Sequence, residues 1–169
     1  MKKFAIIFSI LFISFTLQAQ VLPKMQSVFI YNFTKYIKWP DSYLQGDFVI
    51  GVLGENAAIT PELEEMARTK RAGSQAIKVQ IFSDVANISK CHVLFIPKDK
   101  STQISSCISK VGSNSTLIIT EQEGYALKGA AINFVIRDNK QKFELNIANA
   151  ERNNLKILES LKSLAIIVE

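Results

Sequence analysis

Three short and almost unbroken apolar segments constrain the fold of this chain more than any other feature. They cover residues 48–53 (FVIGVL), 92–96 (HVLFI) and 116–120 (TLIIT). Each is shorter than a typical buried helix, and none alternates strictly as a strand with one face in water does. Such strands are usually covered on both faces, as in parallel sheets flanked by helices. The three segments therefore predict a mainly parallel central sheet.

Helical patterns occupy the intervals between these segments. Thr60, Pro61 and Glu62 combine a hydroxyl cap, a first-turn proline and an early acid, which predicts a helix from Glu62 to Arg71. Because strands and helices alternate, the chain is predicted to form an α/β sandwich with right-handed crossovers. The remaining predictions in this part are a strand at 77–82, a helical turn at 84–90 and a helix at 101–110.

The end of the chain departs from this alternation. Residues 131–136 and 142–147 alternate in polarity around Asp138-Asn139, which is a hairpin signal. Residues 148–166 are predicted to be mostly helical. The predicted fold class is therefore an α/β three-layer sandwich around a mostly parallel sheet, with a late β-hairpin and a C-terminal helix.

A strongly apolar helix is predicted at residues 24–39, where Pro40 ends it. Asn32 lies inside its apolar arc, so we expect the amide to be buried and to tie down a backbone segment. The arc spans about half of the circumference and consists of Met25, Val28, Phe29, Ile30, Phe33, Tyr36, Ile37 and Trp39, opposite Lys24, Ser27, Thr34, Lys35 and Lys38.

The N-terminus has the layout of a secretory signal peptide. Lys2 and Lys3 precede an uncharged apolar run at residues 4–17, and Ala19 provides a small residue before a cleavage point. Residues 1–19 are therefore predicted to be a cleaved leader, and residues 20–169 a single domain in the periplasm. A retained short anchor is the alternative. Loss of the two lysines lowers the net charge from +5 to +3, which does not suggest a nucleic-acid partner.

Side chains that could carry out chemistry are scarce. His92 is the only histidine, and it cannot pair with Cys91 because adjacent strand residues point to opposite faces. One histidine and two cysteines are too few for a structural zinc site. Gly51 and Gly54 follow a strand but do not form a dinucleotide-binding fingerprint, so they are assigned to packing and a turn. We expect no enzyme activity, no cofactor and no metal, and favour a binding function.

Cys91 and Cys107 are a candidate disulfide. Cys91 opens a strand and Cys107 lies near the end of the following helix, which returns beside the start of that strand. Closing a loop of about 17 residues would contribute ~3 kcal/mol in the loop-entropy model. The alternative is a pair of buried thiols that pack as small apolar groups.

Any small-ligand site is expected at the carboxyl ends of the parallel strands. These ends are predicted at residues 54–56, 97–99 and 120–123. A ligand-binding function predicts a concave pocket there with converging polar groups. A function in binding another protein predicts instead an exposed apolar patch of several hundred Å².

Six segments follow one another along the chain in a recognisable order. They are YNFTKYIKWP (31–40), FVIGVLG (48–54), CHVLFIP (91–97), GAAINFV (129–135), KFELNIANAE (142–151) and LKILESLKSLA (155–165). In this order they resemble the YfiR/HmsC family. The sequence departs from the family pattern at Asn154, where the family usually has glycine.

The resemblance implies a periplasmic regulator without enzymatic activity. Characterised relatives bind the periplasmic part of an inner-membrane diguanylate cyclase and hold it inactive, and its release raises cyclic-di-GMP and promotes biofilm. The implied partner is such a cyclase or the periplasmic domain of a sensor kinase, with a homodimer as a further expectation. Better-known relatives can form more than one disulfide, whereas this chain can form only one.

Aromatic residues near the first helix are the candidate contacts to that partner, since buried aromatic side chains dominate interface energies. They are Tyr31, Tyr36, Trp39 and Tyr43, although Tyr36 and Trp39 could equally belong to the core. Lys24, Lys35 and Lys38 could instead steer the protein towards an acidic partner or towards lipid head groups.

Overall fold

The computed structural model describes residues 21–169, so the predicted leader lies outside the described residues. The helices are α1 (21–36), α2 (Thr60–Thr69), α3 (Ile104–Val111), α4 (Ile147–Arg152) and α5 (Glu159–Lys162). The strands are β1 (Ile37–Lys38), β2 (Phe48–Leu53), β3 (Arg71–Ala72), β4 (Gln75–Phe82), β5 (Val93–Ile96), β6 (Leu117–Thr120), β7 (Ile132–Arg137), β8 (Lys140–Asn146), β9 (Lys156–Ile157) and β10 (Ile166–Val168).

Eight strands form one sheet in the order β10-β8-β7-β6-β5-β2-β4-β3. Its neighbouring strands are parallel except for the pairs β7–β8 and β3–β4. The three apolar segments form β2, β5 and β6 near the centre, where both faces are covered. The predicted fold class, an α/β protein around a mostly parallel sheet, is confirmed.

Two separate core clusters show that the sheet is covered on both faces. One cluster contains Phe33 of α1, Leu63 of α2 and Leu161 of α5. The other contains Ile104 and Cys107 of α3. The sheet is thus the middle of three layers, with α1, α2, α4 and α5 on one side and α3 on the other.

The predicted hairpin is also confirmed. Asp138 and Asn139 both have positive φ angles, of 54° and 56°, and Arg137 pairs with Lys140. Two consecutive left-handed residues give the loop that matches the twist of the flanking strands, and Asp and Asn tolerate this conformation well.

The first helix ends three residues earlier than the sequence predicts. Residues 37–38 leave the helix and pair with Lys156–Ile157, and the Leu158 amide donates to the Tyr36 carbonyl at 3.0 Å. Tertiary hydrogen bonds thus replace the last helical turn. The prediction for Asn32 was wrong, because this side chain is only half-buried and accepts a 3.3 Å hydrogen bond from the exposed Lys35.

The orientation of α1 also differs from the predicted arc. Gln26 and Ser27 are buried, whereas Met25 and Val28 are 39% and 53% exposed. The reason is that the core side offers acceptors: Ser27 Oγ donates to the Glu62 carbonyl at 3.0 Å, while Gln26 Nε2 donates to Glu121 at 2.9 Å. Satisfied polar groups can be buried at little cost.

The prediction that residues 148–166 are mostly helical was wrong. Helix α4 ends at Arg152, and β9, α5 and β10 follow as short elements. Asn154 has a φ of 55°, and the Leu155 amide donates to the Ala150 carbonyl at 3.1 Å. A left-handed residue ends a helix, and asparagine is the residue after glycine that best adopts it. The glycine that the family usually has at this position would adopt the same left-handed conformation.

Candidate functional site

The carboxyl ends of the strands line two cavities rather than one crevice. Residues 54–56 lie together with Pro97 and Asp99 around a cavity of about 350 Å³. Residues 121–123 line another cavity, of about 360 Å³, together with Leu22 and Gln26 of α1. The three predicted segments are therefore near the same edge of the sheet but do not converge on a single site.

Acidic residues at this edge hold the structure together. Glu121 accepts the hydrogen bond from Gln26 through Oε2 and one from the Lys98 amide through Oε1 at 3.0 Å, which ties α1 to the segment after β5. Glu123 forms an ion pair with Arg137 at 2.6 Å, and this hydrogen bond lowers the pKa of Glu123 and raises the pKa of Arg137. Both carboxylates already have partners, so they do not form an acid/base pair.

A buried polar row crosses the sheet at β6, β7 and β8. Thr120 Oγ1 donates to Asn133 Oδ1 at 2.8 Å, and Asn133 Nδ2 donates to Glu144 Oε2 at 2.9 Å. Arg137 completes the row at 3.3 Å from Glu144. The local sequence did not predict this row, although Asn133 and Glu144 interrupt apolar runs. Its hydrogen bonds are satisfied, so it fixes the strand register.

A further cavity lies at the opposite, amino-terminal end of the sheet. It has a volume of about 820 Å³, and its wall includes the lysines Lys38, Lys90 and Lys156 but only one acid, Asp41. Such a cavity attracts anions. The local sequence did not predict a cavity here, because these lysines are far apart along the chain.

His92 supports the wall of this cavity. Its Nδ1 accepts a hydrogen bond from the Val49 amide at 3.0 Å, and its Nε2 lies 2.8 Å from the Tyr43 carbonyl. This arrangement requires a neutral ring that donates through Nε2, and burial lowers the pKa of His92. The histidine therefore has a structural role.

The four aromatic candidates differ in exposure. Trp39 and Tyr43 are only 8% and 6% exposed. Trp39 Nε1 donates to the His92 carbonyl at 3.2 Å, and the Tyr43 hydroxyl accepts from the Ser115 amide at 2.9 Å. Tyr31 and Tyr36 are half-buried, and they retain surface that a partner could touch.

Both cysteines are buried in the same core cluster. Burial raises the pKa of Cys91 to about 12 and that of Cys107 to about 11. Cys91 faces the α3 layer, whereas His92 stacks on Phe48 on the other face, so the prediction that they do not pair is confirmed. The disulfide stays a prediction.

Exposed apolar side chains concentrate on the N-terminal half of α1. Val21, Leu22, Met25 and Val28 are 49%, 39%, 39% and 53% exposed. We call these four residues the α1 stripe. Isolated apolar residues are common on protein surfaces, but such a group on one helix is typical of an interaction site.

The match to known protein families extends over almost all of the described residues. Residues 23–166 match the family described as YfiR/HmsC-like. The chain belongs to the YfiR/HmsC-like family. Membership confirms the resemblance and supports a role as a periplasmic regulator in general, within a family that is regulatory and not catalytic.

Two solved structures are similar to part of this family member. One, described as the ABC domain in complex with L-Trp from Streptococcus pneumonia, has a TM-score of 0.54 and 14% identity. The other, a conserved domain protein from Vibrio cholerae, has a TM-score of 0.49 and 13% identity. Each comparison covers 72% of this chain and 55% of the other. The chain matches no curated protein.

Membrane-spanning helices and metal-ligand clusters are both absent from the described residues. Among residues 21–169, no helix combines the length and apolar character needed to cross a membrane. The same residues contain no group of three or more His, Cys, Asp or Glu side chains placed to hold a metal ion.

Proposed function

We propose that this YfiR/HmsC-like protein is an exported, non-enzymatic repressor. It binds the periplasmic part of an inner-membrane signalling protein, of the diguanylate cyclase type or a sensor kinase, and so tunes cyclic-di-GMP and biofilm output. The observation that carries this proposal is the family match over residues 23–166. The α1 stripe supports it, because an exposed apolar surface is what a protein-binding function predicts.

Repression requires that the protein distinguish two states of its partner. A ligand that binds both states equally shifts no equilibrium, so the protein must bind the inactive state more tightly. Tyr31 and Tyr36 are the proposed aromatic contacts, because they retain exposed surface. In this proposal the buried Trp39 and Tyr43 support the contact surface from the protein interior, where hydrogen bonds hold both side chains.

A cross-linked pull-down from intact cells tests the proposal. The tagged full chain is expressed, cells are treated with a membrane-permeable cross-linker, and the recovered proteins are identified by mass spectrometry. We expect an inner-membrane cyclase or sensor kinase, and deletion of the gene is expected to raise cyclic-di-GMP if the partner is a cyclase. Recovery of no membrane signalling protein would refute the proposal.

A second candidate function is the binding of a small ligand that is reported to a membrane sensor. The lysine-lined cavity of about 820 Å³ favours it, because this cavity is large enough for a metabolite. The complex with L-Trp concerns the Streptococcus pneumonia domain, and it is not an argument for a ligand of this chain. Native mass spectrometry of protein released gently from the periplasm tests this candidate: an additional mass that is lost on denaturation supports it, and bare protein contradicts it.

A further inference from the structure

The α1 stripe has the geometry of a helix-packing surface. Val21, Met25 and Val28 are spaced i, i+4 and i+7, so they form a single row along the helix, and Leu22 lies beside it. The opposite side of α1 already packs on the sheet through Ile30 and Phe33. A helix that is apolar on two sides is normally covered on both.

A groove runs alongside the stripe. Leu22 shares the cavity of about 360 Å³ with Phe134 and with Ile136, which is 46% exposed. Gln26 and Gln141 provide amide groups in the same wall, which also includes Lys98, Glu121 and Glu123. Both carboxylates have partners within the protein, since Glu123 pairs with Arg137 and Glu121 accepts from Gln26 and the Lys98 amide. The surface therefore combines a row of apolar contacts with a recess that can accept one large apolar side chain, as in complexes where an amphipathic helix occupies a groove.

The charges beside the stripe specify the partner. Residues 21–36 contain no acid, and the exposed Lys24 and Lys35 lie on one edge of the stripe, whereas Glu121 and Glu123 line the groove on the Leu22 side. Neither lysine takes part in an ion pair among the described residues. A second copy of α1 would bring further lysines to this edge, whereas a helix with acidic residues would complement it. Two lysines are also fewer than the basic cluster that typically binds an anionic membrane.

We propose that the α1 stripe and its groove bind an amphipathic helix whose apolar face is bordered by acidic residues. This inference rests on the proposed function, since it assigns the surface through which the partner is held. The partner helix places apolar residues spaced i, i+4 and i+7 on the stripe, one large side chain in the groove and its carboxylates near Lys24 and Lys35.

Paired variants in the full chain test this inference. Met25→Glu combined with Val28→Glu adds two charges to the stripe. Leu127→Glu combined with Leu164→Glu, at side chains that are 65% and 67% exposed outside α1, is the matched control. After thermal unfolding has verified that all are folded, each is used in the cross-linked pull-down. We expect the stripe variant to recover the membrane partner about tenfold less than the wild type, and the control to recover it equally.

Charge and contact are measured separately. Lys24→Glu combined with Lys35→Glu should weaken recovery more than Lys110→Glu combined with Lys140→Glu, at exposed positions in α3 and at the start of β8. A photo-cross-linker at Val28 should mark an apolar and acidic helix of the partner. Equal recovery by the stripe variant would overturn this inference but leave the proposed function intact. Cross-linking of the chain to itself, or stripe-dependent flotation with vesicles containing phosphatidylglycerol, would also overturn it. Failure of the wild type to recover any membrane protein would overturn both proposals.

Discussion

Replacement of Gly51 by alanine tests whether this glycine serves the packing of the sheet. Gly51 lies in the middle of β2, between β4 and β5. A Cβ added there would lie 2.5 Å from Phe82 Cε2 and 3.4 Å from Cys91 Sγ. Its φ is not positive, so alanine brings no backbone strain, and the whole cost must come from this contact.

The magnitude follows from the distance and the burial. Carbon atoms pack best at ~3.5–4.0 Å, so the Phe82 ring would have to retreat by about 1 Å. The ring is only 2% exposed and lies within the α3-side cluster, so it has little room to move. Overpacking of this kind typically costs ~1–3 kcal/mol, and we expect a loss of about 2 kcal/mol in the free energy of unfolding.

A double-mutant cycle makes the test specific. Chemical denaturation is measured for the wild type, Gly51→Ala, Phe82→Leu and the double variant. Leucine lacks the Cε2 atom that meets the new methyl group, so the double variant should be more stable than the sum of the single effects by about 1 kcal/mol or more. Additive losses would refute this reasoning, because Gly51 would then act independently of Phe82.

Three further predictions follow from single sites. Asn154→Ala should destabilise the fold by ~1 kcal/mol relative to Asn154→Gly, because only the alanine is strained at a φ of 55°; equal unfolding free energies would contradict this. The pKa of His92 is lowered in the folded state, so the unfolded chain binds more protons than the folded chain below pH ~6.5. The free energy of unfolding should therefore fall as the pH drops through that value. Urea unfolding at pH 7.5 and 5.5 should show this loss, and the loss should be smaller in His92→Gln. Cys91 and Cys107 should react with iodoacetamide only after unfolding, given their burial and raised pKa values; the same mass measurement reveals a disulfide, if present, as protein that gains 2 Da on reduction.

The local pattern of the sequence was sufficient to predict the strands at the centre of the sheet. The apolar runs of β2, β5 and β6 require cover on both faces wherever they lie, and Asp138-Asn139 specifies its own turn through backbone preferences. These properties depend on a few neighbouring residues, so the sequence expresses them directly. The same is true of the segments that carry the family resemblance, which the match over residues 23–166 confirms.

Tertiary structure alone decided which side of α1 is buried and where the cavities lie. Gln26 and Ser27 face the core because Glu121 and the Glu62 carbonyl, distant in sequence, offer acceptors there, and this displaces Met25 and Val28 to the surface. The lysine-lined cavity likewise depends on Lys38, Lys90 and Lys156 meeting at one end of the sheet. The free energy of burying a polar group depends on the partner that it meets, and the fold, rather than the local sequence, provides that partner.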